Sequence, residues 1–301
     1  MTKVDRAAAS GLVFLPLGGT GEIGMNLNLY GCEGKWIAID MGIAFADTAL
    51  PGIDLITPRH DFIAERRDDL LAIVLTHAHE DHIGAVAHLW PDLRCPVYAT
   101  PFTAAMLRSK LAEADLLDEV PLHVVPLGGE IELGPFQIQY ISLTHSIPEP
   151  NALGIRTPFG TVVHTGDWKI DPNPLVGGAT DEATLRNFGD EGVLALVCDS
   201  TNVLNPGESG SEAAVRNSLR ELVADCPGRV AVTTFASNVA RLETVAKVAA
   251  DNDRHTVLVG RSMHRAVHAA REVGYLADMP PILDEDDGGY LPSDKVLYLC
   301  T

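Results

Sequence analysis

The chain has 301 residues, and 22 Lys+Arg against 41 Asp+Glu leave a formal net charge of −19. Hydrophobic residues make up 46%, a globular share that excludes a disordered acidic tail or a fibrous chain. The acidity repels nucleic acid at long range, so a polyanionic substrate would need local basic patches or bound cations.

The length suggests about two domains, or one large domain with an insertion. In chain order, Leu12 to Leu17 predicts a strand, and Met25 to Tyr30 alternates apolar and polar, as a half-buried strand does. Trp36 to Asp40 predicts another strand, and the continuous apolar run Leu71 to Leu75 one buried on both faces. Pro96 to Ala99 is followed by a helix over about Thr103 to Ala114, then strands at Phe136 to Leu143, Thr161 to Val163 and Val193 to Cys198. After Asp199 the rhythm becomes helix (Ser211 to Ala224), strand (Arg229 to Phe235), helix (Asn238 to Ala250), strand (Thr256 to Gly260), helix (Ser262 to Val273) and strand (Lys295 to Leu299). Such alternation predicts a parallel α/β unit, with a boundary near Asn205-Pro206-Gly207.

Several readings exclude function classes. The stretch Met1 to Ser10 lacks the apolar core of a secretory signal, and no apolar run is long enough to span a bilayer. Five scattered cysteines without C-x-x-C spacing argue against a disulfide scaffold or a thiolate zinc site, and fit a cytoplasmic chain. Gly19-Thr20-Gly21-Glu22-Ile23-Gly24 matches G-x-G-x-x-G, but a period-two segment follows it where a dinucleotide fold would open a helix. We read it as a strand-to-strand turn.

His77-Ala78-His79-Glu80-Asp81-His82 carries the chemistry. Three imidazoles and carboxylates directly after a buried strand are good ligands for a borderline cation such as zinc. A helix is expected to begin near Ile83. Asp40 ends a predicted strand, and His145, Asp167 and Asp199 each follow one, as rim residues do in α/β folds. A lone carboxylate at a strand end is often only a turn residue; the set together points to a binuclear site.

These residues resemble the metallo-β-lactamase fold. Further segments narrow the likeness: Leu15 to Asn26, Pro51-Gly52-Ile53-Asp54, Thr144 to Glu149, His164 to Asp171 and Asp199-Ser200-Thr201-Asn202. They look like the ribonuclease J family of the β-CASP group, from about Gly11 to the chain end. The resemblance implies a four-layered αβ/βα sandwich over residues 1–205 and an incomplete β-CASP α/β insert over 206–301. It implies two divalent ions, zinc in the first place with manganese compatible. His77, His79 and His145 would hold one, Asp81 and His82 the other, and Asp167 would bridge them. Asp40 would orient a ligand from behind. Asp81 would also serve in catalysis, as would Asp199, the acidic residue with which the family's insert begins. The implied activity is RNA hydrolysis, 5′-to-3′ exonucleolytic and also endonucleolytic, on RNA with a 5′-monophosphate, in RNA processing and decay including that of rRNA. A homo-oligomer is implied for the full-length family. The family's later His ligand is not found before Thr301, which reads as a fragment.

Two rival readings accompany this one: a small-molecule ester, thioester or lactam hydrolase on the same fold, and a truncated RNA-binding chain that does not cleave. Candidate RNA contacts each carry a plainer alternative. Phe45 stacks on a base or packs in its loop. Ser237-Asn238 holds a phosphate at a helix start or only caps that helix. Arg261 and Arg265, with His264, His268 and Arg271 at helical spacing, touch an RNA backbone or form a solvated face.

Overall fold

The computed structural model describes residues 2–301; Met1, the start of the stretch read above for a secretory signal, lies outside them. Its contacts divide the chain into two units. The first holds residues up to Leu143, Glu149–Trp168 and Asp181–Pro206; the second holds Thr144–Pro148, Lys169–Thr180 and Gly207–Thr301.

In the first unit a six-stranded sheet runs in the order Leu12–Gly18, Leu27–Cys32, Lys35–Ile39, Leu70–Val74, Val97–Ala99, Leu122–Val124. A five-stranded sheet runs Ala195–Val197, Gly160–His164, Asn151–Thr157, Phe136–Ser142, Glu130–Leu133. Alternation along the strands puts Tyr30, Cys32, Ile37, Ile39, Ala72 and Val74 on one inner face and Phe136, Ile138, Tyr140, Leu153, Ile155 and Val162 on the other, and together they form one buried core. Helices cover the outer faces. Val86–Leu93 buries Val86, Leu89, Trp90 and Leu93, and Pro101–Glu113 buries Phe102, Met106, Leu107 and Leu111. On the far side, helix Glu182–Glu191 sets Phe188 among Ile141, Leu143, Ala152 and Val163. The layers are therefore helix, sheet, sheet, helix, as the resemblance implies.

Several elements of this unit escape the sequence reading, among them strands Leu122–Val124 and Glu130–Leu133 and helix Glu182–Glu191, and two of them show why. Strand Asn151–Thr157 contains Gly154, which reads as a strand breaker. Its lack of a side chain is what seats the Phe188 ring: a Cβ there would lie 2.1 Å from Phe188 Cζ. The N-terminal helix Lys3–Ser10 is too short to announce itself by periodicity. It is held by a capping box, in which the Thr2 hydroxyl accepts the Asp5 N–H and the Asp5 carboxylate accepts the Thr2 N–H. Ala8 is fully buried, and the Arg66 guanidinium donates to both Asp5 oxygens at 2.7 and 3.3 Å.

The second unit contains a parallel sheet in the order Val230–Thr233, Val296–Cys300, His255–Val259, Ile282–Leu283, with helices Glu212–Ala224, Val239–Asp251 and Arg261–Glu272 between strands. Ser211 and Asn238 cap the first two helices, their side chains accepting the backbone N–H three residues on. Among the described residues, no helix is long and apolar enough to cross a membrane.

Arg66 holds the Asp5 carboxyl well below its ordinary value of 3.8, with the Thr2 groups adding to the effect. A depressed carboxylate pKa stabilises the fold wherever the group is ionised, and that stabilisation disappears as pH falls through the folded value. Asp5→Asn should therefore lower the thermal midpoint at neutral pH. Its deficit against the parent chain should shrink as the pH is taken below 3.8, as read by thermal unfolding across a pH series. A deficit that stays constant into acid would show that charge at Asp5 contributes nothing.

Candidate metal centre

The site is built on the end of strand Leu70–Val74. Leu75, Thr76 and His77 are fully buried, and the chain then turns into the short helix Glu80–Ile83, with His79 as its N-cap. This helix starts earlier than expected from the sequence and is only one turn long. Gly84 and Ala85 intervene before the next helix, Val86–Leu93. Backbone bonds lace the turn to two neighbouring segments. Met41 N–H donates to His82 O at 2.7 Å, Ile43 N–H to Glu80 O at 3.0 Å, and Asn26 N–H to Asp81 O at 3.0 Å. The approach is so close at Gly42 that a Cβ would lie 1.6 Å from the Asp81 carbonyl oxygen. No other residue fits there.

Asp40 is the anchor. It is fully buried, and its φ of 61° folds the chain back at the end of strand Lys35–Ile39, a conformation that Asp tolerates better than most residues. Its Oδ1 accepts the Thr76 N–H at 2.8 Å. Its Oδ2 accepts the Thr76 hydroxyl at 2.8 Å and His82 Nδ1–H at 2.7 Å.

These bonds fix two imidazole tautomers. Thr76 has a single hydroxyl proton, and the Asp40 carboxylate can only accept it. Thr76 Oγ1, 2.9 Å from His77 Nδ1, must then accept from that ring, which leaves His77 Nε2 as a lone pair. That lone pair faces His79 Nδ1 at 3.0 Å. In the same way His82 donates through Nδ1 to Asp40 and turns Nε2 towards Asp167 Oδ1 at 3.3 Å and Asp81 Oδ2 at 3.6 Å. Ligating atoms of His77, His79 and Asp167 all lie within 4.8 Å of one another, and so do those of Asp81, His82 and Asp167. Both sets could hold a metal ion. Two ring nitrogens facing each other beside crowded carboxylates form a donor set suited to a divalent cation.

The electrostatics agree. Burial raises the Asp81 carboxyl above its ordinary range; the His82 charge opposes this, and Asp167 and Asp40 add to it. Burial alone would lower the His82 pKa, but the carboxylates of Asp40 and Asp167 overcome it and hold the ring well above 6.5. Carboxylates crowded around a buried imidazole leave this pocket short of positive charge, which a cation would supply.

The remaining predicted residues are placed as follows. His145 stands in the Thr144–Pro148 segment of the second unit, just past Leu143, with which it is not grouped by contacts. Asp199 donates its N–H to Thr165 Oγ1 at 3.1 Å and accepts the Thr201 N–H at 2.8 Å; it belongs to neither ligand set among the described residues. Phe45 is 72% exposed, in a two-stranded ribbon formed by Ala44–Phe45 and Leu55–Ile56. The Asn238 side chain is occupied as an N-cap, and Ser237 lies just before it. On helix Arg261–Glu272, Met263, Ala266, Val267, Ala269 and Ala270 are buried, while Arg261, His264, His268 and Arg271 are exposed and Arg265 is half-buried.

Sequence reasoning gave no role to Thr76, Asn26 or Tyr30, and no partner to Glu80 of the His77–His82 cluster. Thr76 supplies the hydroxyl that links Asp40 to His77. Asn26 donates through Nδ2 to Asp81 O at 3.0 Å and lies 3.2 Å from His82 Nε2. Glu80 turns aside from the ligand sets to Lys110, at 2.5 and 2.7 Å. Behind them, Tyr30 OH lies 3.0 Å from Nδ1 of the buried His164, whose pKa burial lowers to about 4. A polar Thr between a buried apolar strand and the His cluster is the one signal that could have been found without the fold.

Comparison with known proteins agrees with this geometry. A family model for the β-lactamase superfamily domain matches residues 35–185, and one described as ribonuclease J, β-CASP domain, matches residues 227–301. The chain is similar to the ribonuclease J of Sinorhizobium meliloti, with 52% identity over 99% of this chain and 53% of that protein. It is also similar to that of Thermus thermophilus, with 38% identity over 95% of this chain and 51% of that protein. The chain spans about half the length of the curated relatives it matches. A crystal structure of a protein of unknown function from Enterococcus faecalis V583 shares the fold, with a TM-score of 0.64 at 18% identity, covering 96% of this chain and 77% of that one. The chain belongs to the β-lactamase superfamily, and its residues 227–301 match the ribonuclease J β-CASP domain.

Proposed function

We propose that this chain carries the metal centre of a metal-dependent ribonuclease that hydrolyses RNA phosphodiester bonds. The observation that supports it most is the pair of ligand sets sharing Asp167, with the His77 and His82 tautomers already fixed for ligation by Thr76 and Asp40. Residues 1–205 form the metallo-β-lactamase part and 206–301 the β-CASP part of this reading. His77, His79 and, by the resemblance, His145 would hold one divalent ion. Asp81 and His82 would hold the second, with Asp167 common to both sets. Zinc suits the His/Asp mixture, and manganese is compatible with it. The fit is to two ions, with 5′-monophosphorylated RNA as substrate, exonucleolytic from the 5′ end and also endonucleolytic, in a homo-oligomeric cytoplasmic enzyme.

When bound, two divalent ions supply Lewis acidity to the phosphate oxygens and lower the pKa of coordinated water. The chain's residues do the rest. Water attacks phosphorus, its oxygen forms the new P–O bond, the bridging P–O bond to the leaving sugar breaks, and the sugar oxygen takes up a proton from solvent. Asp81, whose pKa is raised by burial, accepts the proton released by the attacking water. Asp40 and Thr76 keep His77 and His82 in the required tautomers. Asp199 enters through the resemblance, as a further acidic catalytic residue at the rim. The cations also answer the charge problem, since they put positive charge where the phosphate arrives on a chain of net charge −19.

Asp81→Asn should reduce mononucleotide release from 5′-labelled RNA by roughly 10²–10⁴-fold while RNA retention on a filter changes little. Equal loss of both would reject the proton-acceptor role. Thr76→Val keeps the side-chain volume and removes the hydroxyl. It should weaken divalent-metal binding by about 10–100-fold in a chelator competition, because an outer-shell partner is lost. Unchanged metal affinity would mean that the tautomer of His77 is set elsewhere.

A further inference from the structure

The second unit contains a buried ionic cluster that the reaction above does not use. Asp171 is 4% exposed and Glu212 is 7% exposed. Asp171 Oδ2 accepts the Glu212 backbone N–H at 3.1 Å, and Oδ1 accepts the Asn173 N–H at 2.9 Å. Arg241 grips the Glu212 carboxylate with contacts of 3.1 to 3.3 Å. Lys169 Nζ lies 3.6 Å from both Asp171 Oδ2 and Glu212 Oε1. Two cations and two anions thus balance one another.

The same segment is stitched to the one that begins at Thr144. Lys169 N–H donates to Thr144 O at 2.8 Å, and Asp171 N–H donates to Thr144 Oγ1 at 3.1 Å. The Thr144 hydroxyl donates to Lys169 O, and Thr180 Oγ1 lies 3.1 Å from it. Thr144 is the residue before His145, and Lys169 comes two residues after Asp167. Neither Thr144–Pro148 nor Lys169–Thr180 contains a helix or a ladder strand beyond the Thr144–Lys169 bridge. Side-chain bonds must therefore fix their paths. With both carboxylates buried and both cations half-buried, such a cluster is a poor source of net stability, because the carboxylates lose their hydration.

We propose that the Lys169–Asp171–Glu212–Arg241 cluster positions the two loops that lead to His145 and from Asp167, so that retention of a divalent ion depends on it. The inference rests on the metal-centre reading given under Proposed function. All four are positioning residues, acting through the loops.

Glu243 provides a matched control in the same unit. Its side chain is as buried as that of Glu212, 9% exposed in each, and it pairs with Arg216 at 2.7 Å and Lys247 at 2.8 Å, both residues of helices and neither of a loop. Zinc and manganese affinities would be measured on the whole chain by competition with a chromophoric chelator, beside thermal unfolding and amide exchange of the metal-free chain. Glu212→Gln and Asp171→Asn should bind metal about 10–100-fold more weakly and exchange the Lys169 and Asp171 amides faster. Glu243→Gln should lose thermal stability to a similar degree and keep the parent affinity. Arg241→Lys, which keeps the charge and loses the fork, should show a smaller loss of affinity, and it decides the matter if Glu212→Gln does not fold. Parent affinity in Asp171→Asn, or in Arg241→Lys and Glu212→Gln, overturns the proposal, as does an equal loss in Glu243→Gln. A parent chain that binds neither ion overturns the metal-centre reading and this inference with it; a parent that binds while the variants match it overturns this inference alone.

Discussion

The orientation of two imidazoles at the candidate metal centre depends on one buried carboxylate. Asp40 accepts three hydrogen bonds, two from Thr76 and one from His82, and is fully withdrawn from water. A buried carboxylate left unpaired would be costly, so these donors cannot rotate away without a penalty. The consequence is directional. His77 and His82 are each pinned through Nδ1, and their Nε2 atoms point towards the other ligands. The left-handed backbone at Asp40 and the close approach at Gly42 are the local strain that this arrangement carries.

The second constraint is charge. A strongly acidic chain is a poor partner for a polyanion, and the carboxylates of Asp81 and Asp167 beside His82 repeat that problem at close range. On the function proposed above, divalent cations would answer both at once, offsetting the local carboxylates and presenting positive charge to a phosphate. The exposed basic residues of helix Arg261–Glu272 are a smaller and more dispersed contribution, set opposite the buried apolar face that holds the helix on its sheet.

Much of the site was legible because chain-local patterns encode it. His77, His79, Asp81 and His82 lie within six residues, and the buried strand before them places the loop at a sheet end. Other parts were invisible for a physical reason. Thr76 and Asn26 matter through bonds to residues distant in sequence or to a neighbouring ring, and a lone Thr or Asn has no periodicity to betray it. Gly154 misleads as a breaker, because its purpose is to leave room for Phe188, which arrives more than 30 residues later. The one-turn helix Glu80–Ile83 was displaced in the reading because its start is set by backbone bonds to Asn26, Met41 and Ile43 and not by propensity.

Legible along the chain were the layered α/β class, the strand and helix rhythm of the parallel unit and the residue types gathered at the candidate metal centre. These follow from hydrophobic period and residue chemistry, which are properties of neighbours along the chain. Only the tertiary structure decided which nitrogen of each imidazole faces the site, that Glu80 serves Lys110 and not the ligand sets, and that Thr144–Pro148 and Lys169–Thr180 group with the second unit. Those outcomes depend on where a single proton or a single carboxylate finds its partner, and that partner is supplied by segments brought together only on folding.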